Sequence, residues 1–293
     1  MNSVDLSRLG ELLLPAVLTA GRLELAHFAA GVTTERKADK SPVTIADREA
    51  EDVIVAALTR LSPKIPVIAE EAVSLGCVPQ HKGTFFLVDA LDGTHMFIRG
   101  KPEFSVNIAL VHEGLPVFGL IYVPPTGALY LTRDDGKSYT TRIAADAGPA
   151  VLAALSYARL VSRVPDRANL VAFNSRAAGG AAGNFLNGLD VRDARPFGSS
   201  MKFGMIAAGE GDLYARFGDT SEWDTAAGHA ILEAAGGCVT TLGGEALTYG
   251  HAERGYRNPH FVAWGRPELL GWAASVPPMS AGRSPAVNPK SGA

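Results

Sequence analysis

Apolar residues recur at helical spacing near the start of the chain. Leu9, Leu12, Leu13, Val17, Ala20 and Leu23 fall on one stripe, which predicts a core-facing helix from Val4 to Ala30. A second helix is expected from Ile45 to Leu61, with Val53, Ala57, Leu58 and Leu61 inward. Thr44 and Asp47 stand in a capping-box arrangement at its start. Between the two helices, Thr33 to Pro42 is polar and reads as a loop. Ile65 to Ala69 is a short strand that ends at Glu70-Glu71. Phe85 to Val88 is continuously apolar, the pattern of a strand covered on both faces. It runs into Asp89-Ala90-Leu91-Asp92-Gly93-Thr94, where a short helix begins. Ser105–Val111, Val117–Val123 and Ala128–Thr132, separated by turn residues, predict a meander.

Residues 1–141 therefore read as an α+β subdomain. From 142 the texture changes to strands and helices in alternation. Strands are expected at Leu170–Phe173, near Val191, and at Asp212–Phe217, Cys238–Leu242 and Phe261–Trp264. Helices are expected at Ala177–Asn187, from Gly198-Ser199-Ser200 to Ala208, at Thr225–Ala235 and at Pro267–Ala274. Residues 142–275 thus form an α/β subdomain, and the Pro-, Ser- and Ala-rich 276–293 reads as a disordered tail.

Composition narrows the classes. With 293 residues, 47% of them hydrophobic, the chain can bury a large core. Its net charge of −3 argues against binding a nucleic acid polymer. Cys77 and Cys238 form no metal or redox pattern and are expected as free thiols. The N-terminus lacks the features of a signal peptide, and no segment reads as the roughly 20 apolar residues that span a bilayer. A cytoplasmic protein is expected, soluble or peripheral at the inner membrane.

The candidate chemistry lies where apolar runs end in acids. Two carboxylates closing a buried strand are costly unless a cation sits there. Gly93 lets a ligand approach the backbone, and the N–H groups that follow can face an anion. Oxygen ligands for a hard cation beside donors for an anion suggest a metal–phosphate site; an Asx-type turn is the plainer alternative. Asp47, Glu70 and Asp224 extend the set, although Asp47 and Asp224 also suit helix caps and Glu70-Glu71 a solvated pair. Zinc, P-loop and serine-nucleophile motifs are missing from the sequence, which leaves metal-activated water as the favoured chemistry.

Glu70-Glu71, Asp89-Ala90-Leu91-Asp92-Gly93-Thr94 and Trp223-Asp224-x-x-Ala227-Gly228 resemble signatures of the inositol monophosphatase superfamily. Other segments look like its bacterial 3'(2'),5'-bisphosphate nucleotidases of the CysQ type. These are Asp39-Lys40-Ser41-Pro42-Val43-Thr44-x-Ala46-Asp47, Glu103 to Leu110, Gly198-Ser199-Ser200-x-Lys202-Phe203 and Leu213-Tyr214-x-Arg216-Phe217-Gly218. The resemblance implies a layered αβαβα sandwich, the sugar-phosphatase fold. It also implies Mg²⁺-dependent hydrolysis of adenosine 3',5'-bisphosphate to AMP and phosphate, inhibited by Li⁺. An inositol or other sugar phosphatase is the alternative, and a non-catalytic nucleotide-binding scaffold the remote one. By resemblance, Glu70, Asp89 and the Leu91 carbonyl hold one Mg²⁺, and Asp89, Asp92 and Asp224 a second. Asp47 and Thr94 activate the water, and a third ion at Asp47 is compatible with the family. Gly93 and Thr94 bind the phosphate; Gly198, Ser199, Ser200 and Lys202 line the nucleotide side. A homodimer is compatible with the resemblance. Three positions depart from the pattern: Ala90 replaces Pro and is expected to loosen a turn, His95-Met96 replaces Lys-Glu, and Asn174-Ser175-Arg176-Ala177 lacks a His.

Overall fold

The computed structural model describes residues 6–31, 33–37, 41–175 and 180–273. Asp39, Lys40, Arg176, Ala177 and the tail 276–293, all singled out from the sequence, lie outside the described residues. In chain order the elements are α1 (Leu6–Ala30), β1 (Thr34–Arg36), β2 (Pro42–Thr44), α2 (Ile45–Leu61), β3 (Val67–Ala69), α3 (Glu70–Ser74), β4 (Thr84–Asp92), α4 (Thr94–Ile98), β5 (Ser105–His112), β6 (Leu115–Val123), β7 (Ala128–Thr132), β8 (Ser138–Arg142) and α5 (Pro149–Ala153). They continue with β9 (Ala158–Arg159), β10 (Val171–Ser175), α6 (Gly180–Gly188), β11 (Asp193–Phe197), α7 (Met201–Ala207), β12 (Leu213–Arg216), α8 (Ala226–Ala234), β13 (Cys238–Thr241), β14 (Phe261–Trp264) and α9 (Glu268–Ala273).

Two sheets organise the layers. The larger has the order β3-β4-β5-β6-β7-β8-β9, antiparallel except for β3 beside β4. The smaller has the order β11-β10-β12-β14-β13, parallel at β11-β10-β12 and antiparallel beyond. Along β4, period-two alternation sends Phe86 and Val88 to one face and Phe85 and Leu87 to the other. Phe86 and Val88 meet Leu13 and Val17 of α1 and Ile54 of α2. Phe85 and Leu87 join a core with Phe203 and Ile206 of α7, Ile231 of α8, and Phe173, Tyr214 and Phe261 of the smaller sheet. The outer face of that sheet packs on α6 and α9 through Leu186 and Leu269. The result is the αβαβα sandwich. Both faces of β4 are covered, which is why its sequence shows no alternation of polarity.

Several expectations need correction. Thr33 to Pro42 is not only loop, since β1 and β2 pair antiparallel across it; three-residue polar strands carry too little periodicity to read. β8 and β9 extend the larger sheet as far as Arg159, although Ser138-Tyr139-Thr140-Thr141-Arg142 has no apolar alternation. Leu12 lies off the buried stripe of α1 and is 45% exposed. By length and composition α1 would cross a bilayer, contrary to the sequence reading, yet Leu9, Leu13, Leu14, Val17 and Leu18 are buried in the core.

α8 lies against the sheet so closely that a Cβ at Gly119 of β6 would run into the Ala227 carbonyl. Gly119→Ala is therefore expected to destabilise the fold by about 1–3 kcal/mol, by forcing backbone apart. Urea denaturation would show this as a lower midpoint at unchanged slope; an unchanged midpoint would contradict the packing.

Candidate active site

Asp89 and Asp92 are three residues apart, so a regular strand would point them to opposite faces. The β4–β5 register prevents that. Asp89 pairs with Asn107 and Asp92 with Ser105, so three steps on β4 match two on β5. This bulge re-aims the chain end and brings both acids to one side. Ala90 sits inside it, buried, so its effect falls on a strand bulge rather than the expected turn. Gly93 then takes φ +100° and caps α4, and a Cβ there would lie 2.6 Å from the Glu103 carbonyl oxygen. Only glycine accommodates both conditions at low cost.

For Asp47, capping and chemistry are compatible. Its Oδ2 accepts from Thr44 N–H at 2.8 Å and Thr44 Oγ–H at 2.7 Å, completing the capping box of α2. Its Oδ1 accepts from Thr94 Oγ–H at 2.8 Å. Asp224 is built the same way. It closes a capping box with Ser221, whose N–H donates to Oδ2 at 2.8 Å, in the 3-10 turn Glu222–Asp224. The cap of α8 is Thr225 rather than Asp224. In both aspartates one oxygen closes a capping box; the other oxygen of Asp47 takes the Thr94 bond, and Asp224 lies beside Glu70 and Asp89.

Glu70 opens α3, and its Oε1 receives the Lys37 ammonium at 2.5 Å; Lys37 also meets Glu71 Oε1 at 2.5 Å. Burial works against the Lys37 charge, but the two glutamates outweigh it and hold its pKa above the ordinary lysine range. Burial, opposed by Lys37, pushes Glu71 up to about 7. Lys37 was not singled out from the sequence because it stands among polar loop residues; a lysine close before the Ser41-Pro42 segment was the one available signal. Asn107 was missed too. Its amide reaches Asp92 Oδ2 at 3.4 Å from β5.

Glu70, Asp89 and Asp224 each place an oxygen within 4.8 Å of the others. Burial, reinforced by the neighbouring carboxylates, raises Asp89 and Asp224 well above the ordinary aspartate range. Their oxygens are hard donors without Cys or His in the group, and their repulsion calls for positive charge, which fits a divalent cation such as Mg²⁺. Asp92 lies beside them, its Oδ2 engaged by Ser200 N–H and by Ser200 Oγ–H at 2.6 Å. The Leu91 carbonyl oxygen lies 3.3 Å from Thr94 Oγ, whose single proton goes to the shorter bond with Asp47. These groups line a cavity of about 360 Å³, which also includes Thr94, the exposed His95, Trp223 and Arg257.

A second cavity, of about 130 Å³, shares Asp92, Thr220 and Asp224 with the first. Ser175, Gly198, Ser199, Ser200, Lys202 and Arg216 line it. Within it, Ser200 is a strut. Its hydroxyl lies between the Asp92 carboxylate and the Asp224 carbonyl and shares its one proton between them, although its position is the N-cap of α7. Lys202 is buried and donates to the carbonyls of Phe197 (3.2 Å), Gly198 (3.1 Å) and Ser199 (2.5 Å), over the Tyr214 ring. Its charge therefore acts on the cavity through space, and burial lowers its pKa to about 8. Ser199, whose carbonyl takes one of those bonds, stands at φ +46°, an uncommon conformation for a side-chain-bearing residue. The Gly198 N–H donates to Glu103 Oε2 at 2.6 Å.

The profile of the inositol monophosphatase family matches residues 5–270. This chain belongs to that family. It is 40% identical over 227 residues to the 3'(2'),5'-bisphosphate nucleotidase CysQ of Salmonella typhimurium, spanning 77% of this chain and 86% of that one. The CysQ of Escherichia coli K12 is 38% identical over 226 residues, 77% and 86% of the two chains. Among solved structures, CysQ from Bacteroides thetaiotaomicron, a bacterial member of the family, superposes with TM-score 0.70 at 34% identity, covering 86% and 95%. The Thermotoga maritima IMPase shares the fold, with TM-score 0.70 at 23% identity over 92% and 96%. Metal dependence is a property of the family, and the oxygen cluster suits it.

The raised carboxylates give a pH-linked prediction. A carboxyl whose folded pKa lies above its unfolded value of about 4 costs stability as pH rises from that value through the folded one. Mg²⁺ binds the ionised form, so its stabilising effect is expected to grow over the same range. The Mg²⁺-induced rise in Tm should be larger at about pH 8 than at about pH 5; equal shifts at both would contradict a cation held by Asp89 and Asp224.

Proposed function

We propose that the protein is a Mg²⁺-dependent phosphomonoesterase that hydrolyses adenosine 3',5'-bisphosphate to AMP and phosphate. The observation that carries this reading is the bond from Thr94 to Asp47 beside the cluster of Glu70, Asp89 and Asp224. The identity to CysQ nucleotidases supports the choice of substrate. Glu70, Asp89 and the Leu91 carbonyl would hold one Mg²⁺, and Asp89, Asp92 and Asp224 a second; a third at Asp47 is not needed. When bound, the cations lower the pKa of water and offset charge on the phosphate.

The protein's own groups supply position and proton transfer. Thr94 Oγ–H points at Asp47, so its lone pairs are left to accept from a water in the cavity. A proton leaving that water passes through Thr94 to Asp47, whose other oxygen stays fixed by Thr44. The N–H groups of Gly93 and Thr94, at the start of α4, would orient the phosphate. Ser175, Ser199, Arg216 and the nearby Lys202 charge make the smaller cavity suitable for the anionic nucleotide side. Cytoplasmic action, soluble or peripheral to the inner membrane, and two subdomains meeting at the acids belong to the same reading. An inositol or sugar phosphatase is the second reading, favoured by the histidine missing after Ser175-Arg176. The scaffold reading expects a lost ligand or lost proton acceptor, whereas Asp47, Glu70, Asp89, Asp92, Thr94 and Asp224 are all present.

Phosphate release from adenosine 3',5'-bisphosphate and inositol 1-phosphate, side by side, tests the substrate. The bisphosphate should be strongly preferred and its turnover lost with Li⁺; preference for inositol 1-phosphate would overturn the assignment. Asp89→Asn should abolish Mg²⁺-dependent turnover in a folded protein, and near-normal activity would refute its ligand role. Asp47→Asn should lower kcat by roughly 100-fold or more while changing metal affinity far less. A pure loss of metal binding would make Asp47 a ligand instead.

A further inference from the structure

The first turn of α3 presents Glu70, yet its N-cap is Ala69, which has no side chain to satisfy the free N–H groups of a helix start. Those donors are met from another helix. Glu51 of α2 is 6% exposed, and its carboxylate accepts from Glu71 N–H at 2.7 Å and from Ala72 N–H at 2.8 Å. One oxygen takes each bond, so the buried charge is matched on both sides. Glu51 follows Asp47 by four residues, which puts both on one face of α2. It is not among the described residues lining the two cavities.

We propose that Glu51 is a positioning residue for the metal site, fixing the first turn of α3 and with it the approach of Glu70 to Asp89 and Asp224. α2 then carries the proton acceptor directly and the metal ligand through a two-bond clamp, so the two keep a constant spacing. Lys37 restrains the Glu70 carboxylate, while Glu51 restrains the backbone beneath it. The inference rests on Glu70 being a metal ligand, and a Glu70 variant separates the two claims.

The test is Mn²⁺ binding to the metal-free full-length protein, followed by electron paramagnetic resonance of the free ion. Wild type, Glu51→Ala, Glu51→Gln and Glu70→Gln are compared below their unfolding temperatures. Glu51→Ala should raise the Mn²⁺ Kd about tenfold. Glu51→Gln, which keeps one acceptor oxygen, should raise it less. The Mg²⁺ concentration for half-maximal turnover should rise in parallel, with kcat at saturating Mg²⁺ within about twofold of wild type. If Glu70→Gln weakens Mn²⁺ binding while folded Glu51 variants bind as wild type, the positioning role is overturned and the ligand reading stands. If Glu70→Gln also binds as wild type, the ligand reading falls and takes this inference with it. Should Glu51→Ala not fold, unchanged binding by Glu51→Gln is by itself enough to overturn the proposal.

Discussion

Mutual repulsion among crowded carboxylates, Asp89 buried and its neighbours half-buried, is the constraint on which the rest of the structure depends. Glu70 from α3, Asp89 and Asp92 from β4, and Asp224 from a 3-10 turn gather around one cavity. Withdrawing a charge such as that of Asp89 from water costs on the order of several kcal/mol. Local contacts offset only part of this. Lys37 serves Glu70, Ser200 and Asn107 serve Asp92, and the Ser221 N–H serves Asp224. Each of these contacts engages one carboxylate oxygen, so the acids are held in place while their crowding still calls for positive charge. A fold that maximised its own stability would place apolar residues here; one that holds divalent cations next to a phosphate would not.

The layers explain how acids from distant parts of the sequence keep this geometry. β4 lies second in a sheet covered on both faces, and its bulge is pinned by pairing with β5. α8 contacts the same sheet at Gly119, which sets the height of the preceding turn that carries Asp224. Ser200 then ties Asp92 on one sheet to the backbone of Asp224 on the far side of the cleft. The site is therefore the seam between the two sheets and their helices.

Much of this was legible in the sequence, for identifiable reasons. The continuous apolar run Phe85–Val88 marks a doubly covered strand, and the acids and Gly93 at its end mark a site, because burial and charge conflict there. Ile45–Leu61 was read to the residue, since its periodicity and capping box agree. Asp47 and Asp224 looked ambiguous between cap and chemistry because each closes a capping box with one oxygen, while Asp47 also takes the Thr94 bond and Asp224 lies with Glu70 and Asp89. β1, β2 and β8 were missed because short polar strands owe their existence to neighbours rather than to their own pattern. Lys37, Ser200 and Lys202 act through contacts that spacing does not reveal. Ser200 and Lys202 were expected to line the substrate; in the structure they line the smaller cavity and their side chains are bonded into the frame around it.

The central claim is that these acids form one polynuclear cation site. Anomalous X-ray scattering from crystals of the protein grown with Mn²⁺ tests it most directly. Two peaks are expected, one among Glu70, Asp89 and the Leu91 carbonyl and one among Asp89, Asp92 and Asp224. No peak at the acids, or peaks elsewhere with Asp89 and Asp224 unligated, would contradict it.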